Sequence, residues 1–210
     1  MTATKRASRY TWVTWLPKLM AGEISCEWAP WFRTNHANWD RPPEDFAMWR
    51  VKHTRLLREI KIQKEAEGYT VYTERQNEFS YVRDSGLVMQ GRPDLVLVRG
   101  NETIVVDAKT GVPKASDNLQ VMIYMFGLGR CHPRFKGKEI GGQVAYQNNV
   151  LEIAPDAIDE SFLREFEYFL DIVDSETMPV RVPSHGECSF CNIGHGDCPE
   201  RMAGAVTTDD

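Results

Sequence analysis

The sequence lacks any apolar run long enough to cross a membrane, and its first residues lack the apolar stretch of a secretory signal peptide. Its net charge of −5 gives no overall attraction to nucleic acid, although a local basic groove can form on an acidic protein. Internal repeats and low-complexity tracts are also missing. We therefore expect a cytoplasmic globular protein without a membrane partner, whose 210 residues suffice for one sizeable domain plus an appendage.

Cysteines are few and odd in number, which argues against a disulfide scaffold in a chain without a signal sequence. Three of the five cluster near the C-terminus as Cys188, Cys191 and Cys198, and a proline follows Cys198 directly. Such a run is typical of iron–sulfur ligation, with Cys26 as the available fourth thiol. His195 offers an alternative, because with the three clustered cysteines it forms a local set of four suited to structural zinc.

Two aspartates are placed opposite each other by a predicted β-hairpin. Apolar stretches on both sides of Gly100-Asn101 are interpreted as strands, and these two residues are a favourable hairpin loop because both tolerate positive φ. If they are the loop, counting down the ladder puts Asp94 opposite Asp107. Directly paired residues have Cβ atoms roughly 5 Å apart, so the two like charges are destabilising unless a cation lies between them.

Lys109 follows Asp107 by two residues and therefore shares its face of the strand. Two carboxylates and an ammonium that converge on one point are the parts of a metal-dependent phosphodiesterase. An Asp-x-Lys triplet alone is more often a solvated strand end. The pairing of Asp107 with Asp94, and the apolar character of both strands, favour a functional site.

His53 lies on a predicted helix that runs from Pro43 to about Glu67. The apolar stripe of this helix has helical spacing, and we expect it to face the core; it comprises Phe46, Trp49, Leu56, Leu57 and Ile60. His53 falls within the stripe. It is either a partly buried core histidine or a further metal ligand, since neutral imidazole suits Mn²⁺.

Gln120 and Tyr124 lie four residues apart on a second predicted helix, residues 114–129, and therefore share one of its faces. A Gln–Tyr pair on an exposed helix face is commonly plain surface. Here a short connection joins the helix to the strand of Asp107, so the face that carries the pair can overlook the two carboxylates.

The order of the predicted elements indicates an α/β (α+β) fold with one mixed sheet flanked by helices. Further strands are predicted at residues 69–74, 78–84, 87–90, 143–146 and 150–153, and a third helix at 156–173. Aromatic residues are concentrated between residues 10 and 39. They are either the core of a small subdomain that docks the C-terminal segment or platforms that stack the bases of single-stranded DNA.

Taken together, Gly91-Arg92-Pro93-Asp94, Asp107-Ala108-Lys109 and Gln120-x3-Tyr124, with His53 upstream, resemble the PD-(D/E)XK nuclease superfamily in its RecB-like branch. One cysteine before this region and three after it resemble the iron–sulfur exonucleases of that branch, both CRISPR-associated and phage-encoded. The resemblance implies a restriction-endonuclease-like core at residues 41–175, between an N-terminal segment, 1–40, and a cysteine-rich C-terminal segment, 176–210.

For the site residues, the resemblance implies three sets. The ligands of a Mg²⁺ or Mn²⁺ ion are His53, Asp94 and Asp107. The catalytic group comprises Asp94, Asp107, Lys109, Gln120 and Tyr124. The ligands of a [4Fe–4S] cluster that joins the terminal segments are Cys26, Cys188, Cys191 and Cys198.

The activity that the resemblance implies is hydrolysis of DNA from its ends, preferring single strands in the 5′→3′ direction, in a prokaryotic cell or encoded by a phage. The expected setting is CRISPR adaptation, or recombination and repair, with other DNA-processing proteins as partners. Two alternatives stay open: a nuclease subunit that is active only within a larger complex, and a zinc-stabilised DNA-binding module without nuclease activity.

Overall fold

The computed structural model describes residues 2–42 and 46–202. The strands in this part of the chain are β1 (Thr4–Lys5), β2 (Tyr10–Trp12), β3 (His36–Ala37), β4 (Thr70–Thr73), β5 (Phe79–Val82), β6 (Val88–Gly91), β7 (Leu95–Arg99), β8 (Glu102–Lys109), β9 (Gly141–Tyr146) and β10 (Val150–Ile153). The α-helices are α1 (Pro17–Met20), α2 (Trp28–Asn35), α3 (Ala47–Ala66), α4 (Ala115–Cys131), α5 (Glu160–Asp174) and α6 (His185–Ser189).

The strands form separate sheets rather than the single mixed sheet expected from the sequence. The largest has the order β10-β9-β8-β7-β4, in which β8 and β9 are parallel and the other neighbours antiparallel. A second sheet has the order β2-β6-β5, and β1 pairs with β3 alone. The largest sheet confirms the expected mixed sheet flanked by helices, but the expectation that it takes up all the strands is wrong. β5 pairs with β6 instead, and β2 joins β6 in parallel, a pairing between distant segments that no hairpin signal predicts.

The hairpin of β7 and β8 confirms the predicted register. Arg99 pairs with Glu102, and the ladder continues down to the pair of Leu95 and Val106. Gly100, the first residue of the two-residue loop, has a positive φ of +59°. One of the two common hairpin turns has a single residue with positive φ, and glycine is favoured at that first position. The next step would pair Asp94 with Asp107, but the chain bends at Asp94, which lies immediately before β7.

Helix α4 is the crossover between the parallel strands β8 and β9, and it packs against the largest sheet. Its residues Val121, Ile123 and Leu128 are fully buried in the main core. A parallel pair needs such a crossover, and the short connection after Lys109 makes α4 begin close to the end of β8. This arrangement brings the first turns of α4 to the carboxylates of the hairpin.

The N-terminal and C-terminal segments pack against each other through a separate aromatic core. Trp28, Trp31, Phe32 and Trp39 are buried there together with Ile193, which comes from the C-terminal segment. These aromatics therefore act as core, the first of the two interpretations offered by the sequence. The domain boundaries after residues 40 and 175 stay a prediction.

Helix α3 differs from its predicted form at its beginning. Leu56 is buried and Leu57 and Ile60 pack against the sheet, as expected, but Phe46 and Trp49 are exposed. Periodicity identifies the apolar face of a helix, but it does not tell how far the helix extends beyond the surface on which it packs. The predicted first turn at residues 43–45 lies outside the described residues.

No helix among the described residues is long and apolar enough to span a membrane.

Candidate active site

The candidate site lies at the end of β8, where the bend before β7 meets α3 and α4. The Oδ2 atom of Asp94 accepts a hydrogen bond from the backbone N–H of Ala108 at 2.9 Å. This bond fixes the bend against β8 and holds the Asp94 carboxylate beside Asp107. The two carboxylates expected to face each other are thus brought together, although Asp94 is not itself part of the ladder.

Asp107 is only 4% exposed. Burial raises its pKa, Lys109 opposes the rise and the charge of Asp94 adds to it, with the result that the pKa of Asp107 reaches about 6. Its Oδ2 atom lies 2.8 Å from Nζ of Lys109, yet it accepts no hydrogen bond of acceptable geometry. A buried carboxylate oxygen that accepts no hydrogen bond can bind a cation.

Three oxygen atoms surround the ammonium group of Lys109: it donates a hydrogen bond to Gln120 and forms ion pairs with Asp107 and Asp117. Its Nζ atom lies 2.8 Å from Asp107 Oδ2, 2.9 Å from Gln120 Oε1 and 3.6 Å from Asp117 Oδ1. Burial lowers the pKa of Lys109, but the neighbouring carboxylates of Asp107 and Asp117 outweigh it and raise the pKa overall. Lys109 therefore keeps its proton at neutral pH in the protein alone.

Gln120 connects the ammonium to the carboxylate. Its Oε1 accepts from Lys109, while its Nε2 donates to Asp107 Oδ1 at 3.0 Å and to the Tyr124 hydroxyl at 3.2 Å. Burial, followed by the charges of Asp107 and Asp94, raises the pKa of Tyr124 well above its usual value, so the phenol stays neutral. Gln120 and Tyr124 share one helix face as predicted, but that face is turned to β8, and Tyr124 is buried.

His53 reaches the carboxylates from α3. Its Nε2 atom lies 3.2 Å from Asp94 Oδ2, and this hydrogen bond raises the pKa of His53 against the opposing effect of burial. The imidazole stacks on the ring of Trp49, with centroids 4.7 Å apart and planes at 18°. All the residues that the sequence nominated for this site are therefore brought together.

Asp117 is a residue of the site that the sequence reasoning missed. Its Oδ2 accepts from the Tyr146 hydroxyl at 2.8 Å and from the backbone N–H of Lys114 at 3.1 Å, so it also anchors the start of α4. Its other oxygen faces Lys109. The signal was present, because Asp117 precedes Gln120 by three residues and therefore lies on the same helix face.

The donor set suits a hard divalent cation. Across residues 2–42 and 46–202, no three His, Cys, Asp or Glu side chains are gathered closely enough to hold a metal by themselves. Mg²⁺ rarely needs such a cage, because it commonly binds through one or two carboxylates, water and substrate phosphates. Asp94 and the buried, incompletely satisfied Asp107 supply those carboxylates, and the His53 imidazole is a ligand that Mn²⁺ accepts.

A second candidate place is a cavity of about 740 Å³ that is lined by residues of both terminal segments. Cys26, Cys188, Cys191 and Cys198 all line it. Glu187 of α6 accepts hydrogen bonds from the backbone N–H groups of Ser25 and Cys26 at 2.9 and 3.2 Å, which holds Cys26 beside the C-terminal cysteines.

His195, the remaining ligand of the predicted zinc set, is exposed and is not among the residues that line this cavity.

Cations surround the cysteine cavity. Arg33, Arg181 and Arg201 line it, and the Nε atom of Arg33 is buried without a hydrogen-bond partner. Burial lowers the pKa of Arg33, while the thiols of Cys191 and Cys26 oppose this shift. Thiolates are the usual ligands of iron–sulfur clusters, and a buried arginine with an unused donor complements their negative charge. The residue types that line the cavity are those of such a site, but within the described residues the four thiols are not gathered as a ligand set.

Comparison with known proteins supports the fold and the family. The model of the PD-(D/E)XK nuclease superfamily matches residues 18–194. The crystal structure of SSO0001 is similar, with 19% sequence identity and a TM-score of 0.51 over 95% of this chain and 90% of that chain. At this identity the likeness concerns the fold alone. No curated protein gives a significant match.

Proposed function

Because this chain belongs to the PD-(D/E)XK nuclease superfamily, which indicates a metal-dependent nuclease with DNA as its substrate, we propose that it is an exonuclease of the RecB-like branch. The observation that carries the proposal is the contact network of Asp94, Asp107, Lys109 and Gln120 at the end of β8. Cleavage of single strands in the 5′→3′ direction rests on the resemblance of these motifs.

In this proposal Asp94, Asp107 and His53 hold a Mg²⁺ or Mn²⁺ ion, which when bound supplies Lewis acidity and lowers the pKa of a water. Asp107 is suited to this task because its pKa of about 6 leaves it ionised at neutral pH. Asp94 is fixed in place by the N–H of Ala108, so its carboxylate needs little reorganisation to bind.

Lys109 acts as a charged donor toward the scissile phosphate. Its raised pKa favours donation from the ammonium over removal of a proton from water. Gln120 orients Lys109 relative to Asp107 by forming hydrogen bonds with both. The Tyr124 hydroxyl accepts a further hydrogen bond from Gln120 and holds its amide in place. Pre-oriented charges of this kind stabilise the negative charge that develops on a phosphate during in-line attack.

The test is a cleavage assay in Mg²⁺ or Mn²⁺ on two kinds of DNA. One is linear and labelled at its 5′ or its 3′ end, and the other is closed circular DNA. We expect degradation of linear but not circular DNA, faster for single strands than for duplexes, with the 5′ label released first. Asp107→Asn and Lys109→Met should reduce the rate by about 10²–10³-fold, the usual cost of removing one pre-oriented group that stabilises developing charge. Lys61→Met is the control, because the Lys61 side chain on α3 is 44% exposed and pairs with Glu65 at 3.8 Å.

Each outcome separates one part of the proposal from the others. Cleavage of circular DNA contradicts the exonuclease assignment, and release of the 3′ label first contradicts the direction. A wild-type rate in Lys109→Met contradicts the role given to Lys109. Activity that appears only after addition of other DNA-processing proteins, such as those of CRISPR adaptation or recombination, supports the alternative of a nuclease subunit.

We further propose that Cys26, Cys188, Cys191 and Cys198 ligate a structural [4Fe–4S] cluster. The four thiols share one cavity, whereas the zinc alternative of Cys188, Cys191, His195 and Cys198 needs a histidine that lies outside it. The cluster ties residues from both ends of the described chain, so folding of these segments is coupled to ligation.

Iron, sulfide and zinc analysis of protein purified without oxygen tests the cluster. We expect iron and sulfide in the wild type, with their broad visible absorption, and loss of both in Cys26→Ser. Cys131→Ser is the matched control, since Cys131 lines a different cavity, and it should keep its iron. Stoichiometric zinc that survives Cys26→Ser but not His195→Ala supports the zinc site instead.

A further inference from the structure

The beginning of α3 projects from the protein beside the candidate site. Every residue from Phe46 to Lys52 is exposed, whereas Leu56, on the next turns of the helix, is buried. Four of these exposed side chains are large and apolar, with exposed fractions of 46% for Phe46, 68% for Met48, 49% for Trp49 and 64% for Val51. Apolar side chains grouped in this way usually mark a binding surface.

The aromatic members of this group are linked directly to the carboxylates. Trp49 stacks on His53, and His53 bonds to Asp94. Phe46 meets Trp49 edge to face, with ring centroids 6.3 Å apart. The spacing of three and four residues puts Phe46, Trp49 and His53 on one face of α3. A nucleotide strand whose phosphate lies at Asp94 therefore passes the outer face of Trp49.

The charges of the projecting turn complement a phosphate backbone. The charged residues between Phe46 and Lys52 are Arg50 and Lys52, both exposed cations. The acidic residues next to this stretch in the sequence, Glu44 and Asp45, lie outside the described residues. Exposed aromatics with neighbouring cations are the combination that binds single-stranded nucleic acid, where bases stack and phosphates pair.

We propose that Phe46 and Trp49 form a stacking platform for unpaired bases of the DNA strand that enters the active site. The proposal rests on the proposed nuclease function and assigns the preference for single strands to these residues. In a duplex the faces of interior bases are already stacked on their neighbours, so an aromatic platform favours a strand whose bases are free. Stacking of Trp49 on His53 sets the distance between the platform and the scissile phosphate.

Binding to two oligonucleotides of equal length tests the platform, one with normal bases and one with abasic sites throughout. Affinities are measured with EDTA present, so that cleavage does not interfere. We expect Trp49→Ala to weaken binding of the normal strand by about five- to 100-fold, the range for one stacked base, and to leave binding of the abasic strand unchanged. Phe46→Ala should act in the same direction, and Trp49→Phe should retain most of the affinity.

Tyr168→Ala is the matched control, because Tyr168 is an aromatic residue 58% exposed on α5, and it should bind both strands as the wild type does. Tryptophan fluorescence gives a direct readout, since Trp49 is the exposed one of the six tryptophans. Normal DNA should protect it from acrylamide quenching and abasic DNA should not.

The platform is overturned if Trp49→Ala weakens binding of the normal and the abasic strand equally. It is also overturned if the wild type binds the two strands with the same affinity. The platform is also overturned if the wild type self-associates in sedimentation velocity, and if Trp49→Ala abolishes this association without changing DNA binding. That result assigns the surface to a second copy of the chain. If the protein cleaves DNA but its affinity for DNA does not depend on Trp49, the platform is refuted and the proposed nuclease function is not affected. Base-dependent binding without cleavage in Mg²⁺ or Mn²⁺ refutes the nuclease and supports the platform.

Discussion

Gln120 determines the relative position of the two charged groups on which the proposed chemistry depends. It accepts from Lys109 and donates to Asp107 within the same side chain. Without it, the ammonium has only carboxylates as partners and is drawn toward Asp107 or Asp117. The effect of Gln120 on catalysis is therefore one of orientation.

Replacing Gln120 by Leu should lower the cleavage rate by about 10–100-fold, the usual cost of losing a residue that orients a metal ligand. The free energy of unfolding should fall by about 1–3 kcal/mol, because the buried Asp107 and Tyr124 lose the hydrogen bonds that Gln120 donates to them. Rates at saturating Mn²⁺, together with urea unfolding, check both expectations. A Gln120→Leu protein that cleaves at the wild-type rate contradicts the orienting role.

If the four cysteines hold the cluster that we propose, Arg33 should stabilise it. Its buried Nε has no hydrogen-bond partner, and its pKa responds to the thiols of Cys191 and Cys26. Arg33→Met should therefore lower the iron content of anaerobically purified protein, and Arg33→Lys should restore part of it by restoring the charge. Iron content equal to the wild type in Arg33→Met shows that the charge is not needed.

At the scale of elements, one aromatic ring joins α4 to the smaller sheet. Phe79 of β5 lies between Gly91 of β6 and Gly127 of α4, and a methyl group at these glycines would lie only 2.3 and 2.0 Å from the nearest ring atoms of Phe79. Since Gly127 is on the helix that carries Gln120, this contact sets the depth at which α4 lies over the sheet.

Gly127→Ala should destabilise the protein by about 1–3 kcal/mol, the usual cost of forcing extra volume into a packed core. Gly129→Ala on the same helix is the matched control, because its new methyl would meet only Lys138 O and Ile140, at 3.5 and 3.7 Å. There the helix propensity of alanine should stabilise by up to about 1 kcal/mol. Urea unfolding of the two variants gives the comparison, and equal effects would refute the packing argument.

Sequence reasoning succeeded where a local rule determines the structure. The loop at Gly100 follows from backbone preference, and once the loop is known the partners of Arg99 to Leu95 follow by counting, although the bend at Asp94 ends the ladder one pair early. The common face of Gln120 and Tyr124 likewise follows from the helical period. The exposure of Trp49 and the pairing of β2 with β6 depend on which distant surfaces are available, and residue spacing does not encode this.

At the scale of the whole molecule, Asp197 ties three distant segments together. Its carboxylate is fully buried and accepts hydrogen bonds from Thr2 N at 2.8 Å, Thr2 Oγ1 at 2.6 Å, Ala3 N at 3.1 Å and Asp40 N at 2.7 Å. Burial raises the pKa of Asp197, but these bonds outweigh it and hold the pKa well below its usual range. The ionised form therefore stabilises the fold.

The sign of the pH dependence follows from that lowered pKa. The stabilisation is complete above the pKa of the unfolded chain, about 3.9, and is lost as the pH falls below it toward the folded value. Asp197→Asn should lower the free energy of unfolding at pH 7 by about 1.5–3 kcal/mol, the contribution of a hydrogen bond to a charged group. Urea unfolding near pH 7, 5 and 3.5 should show the difference from wild type shrinking at the lowest pH, and a constant difference would contradict the assignment.

The tie between Thr2 and Asp197 also orders events during synthesis of the chain. A ribosome completes the segment from His53 to Tyr146, with the candidate active site and its sheet, before Cys188 and Asp197 have been translated. The contacts of Thr2 and Cys26 with the C-terminal segment must wait for the last residues, because domains assemble as the chain emerges. In a nascent chain β2 can therefore already pair with β6, while Thr2 and Cys26 are still without their partners in the C-terminal segment.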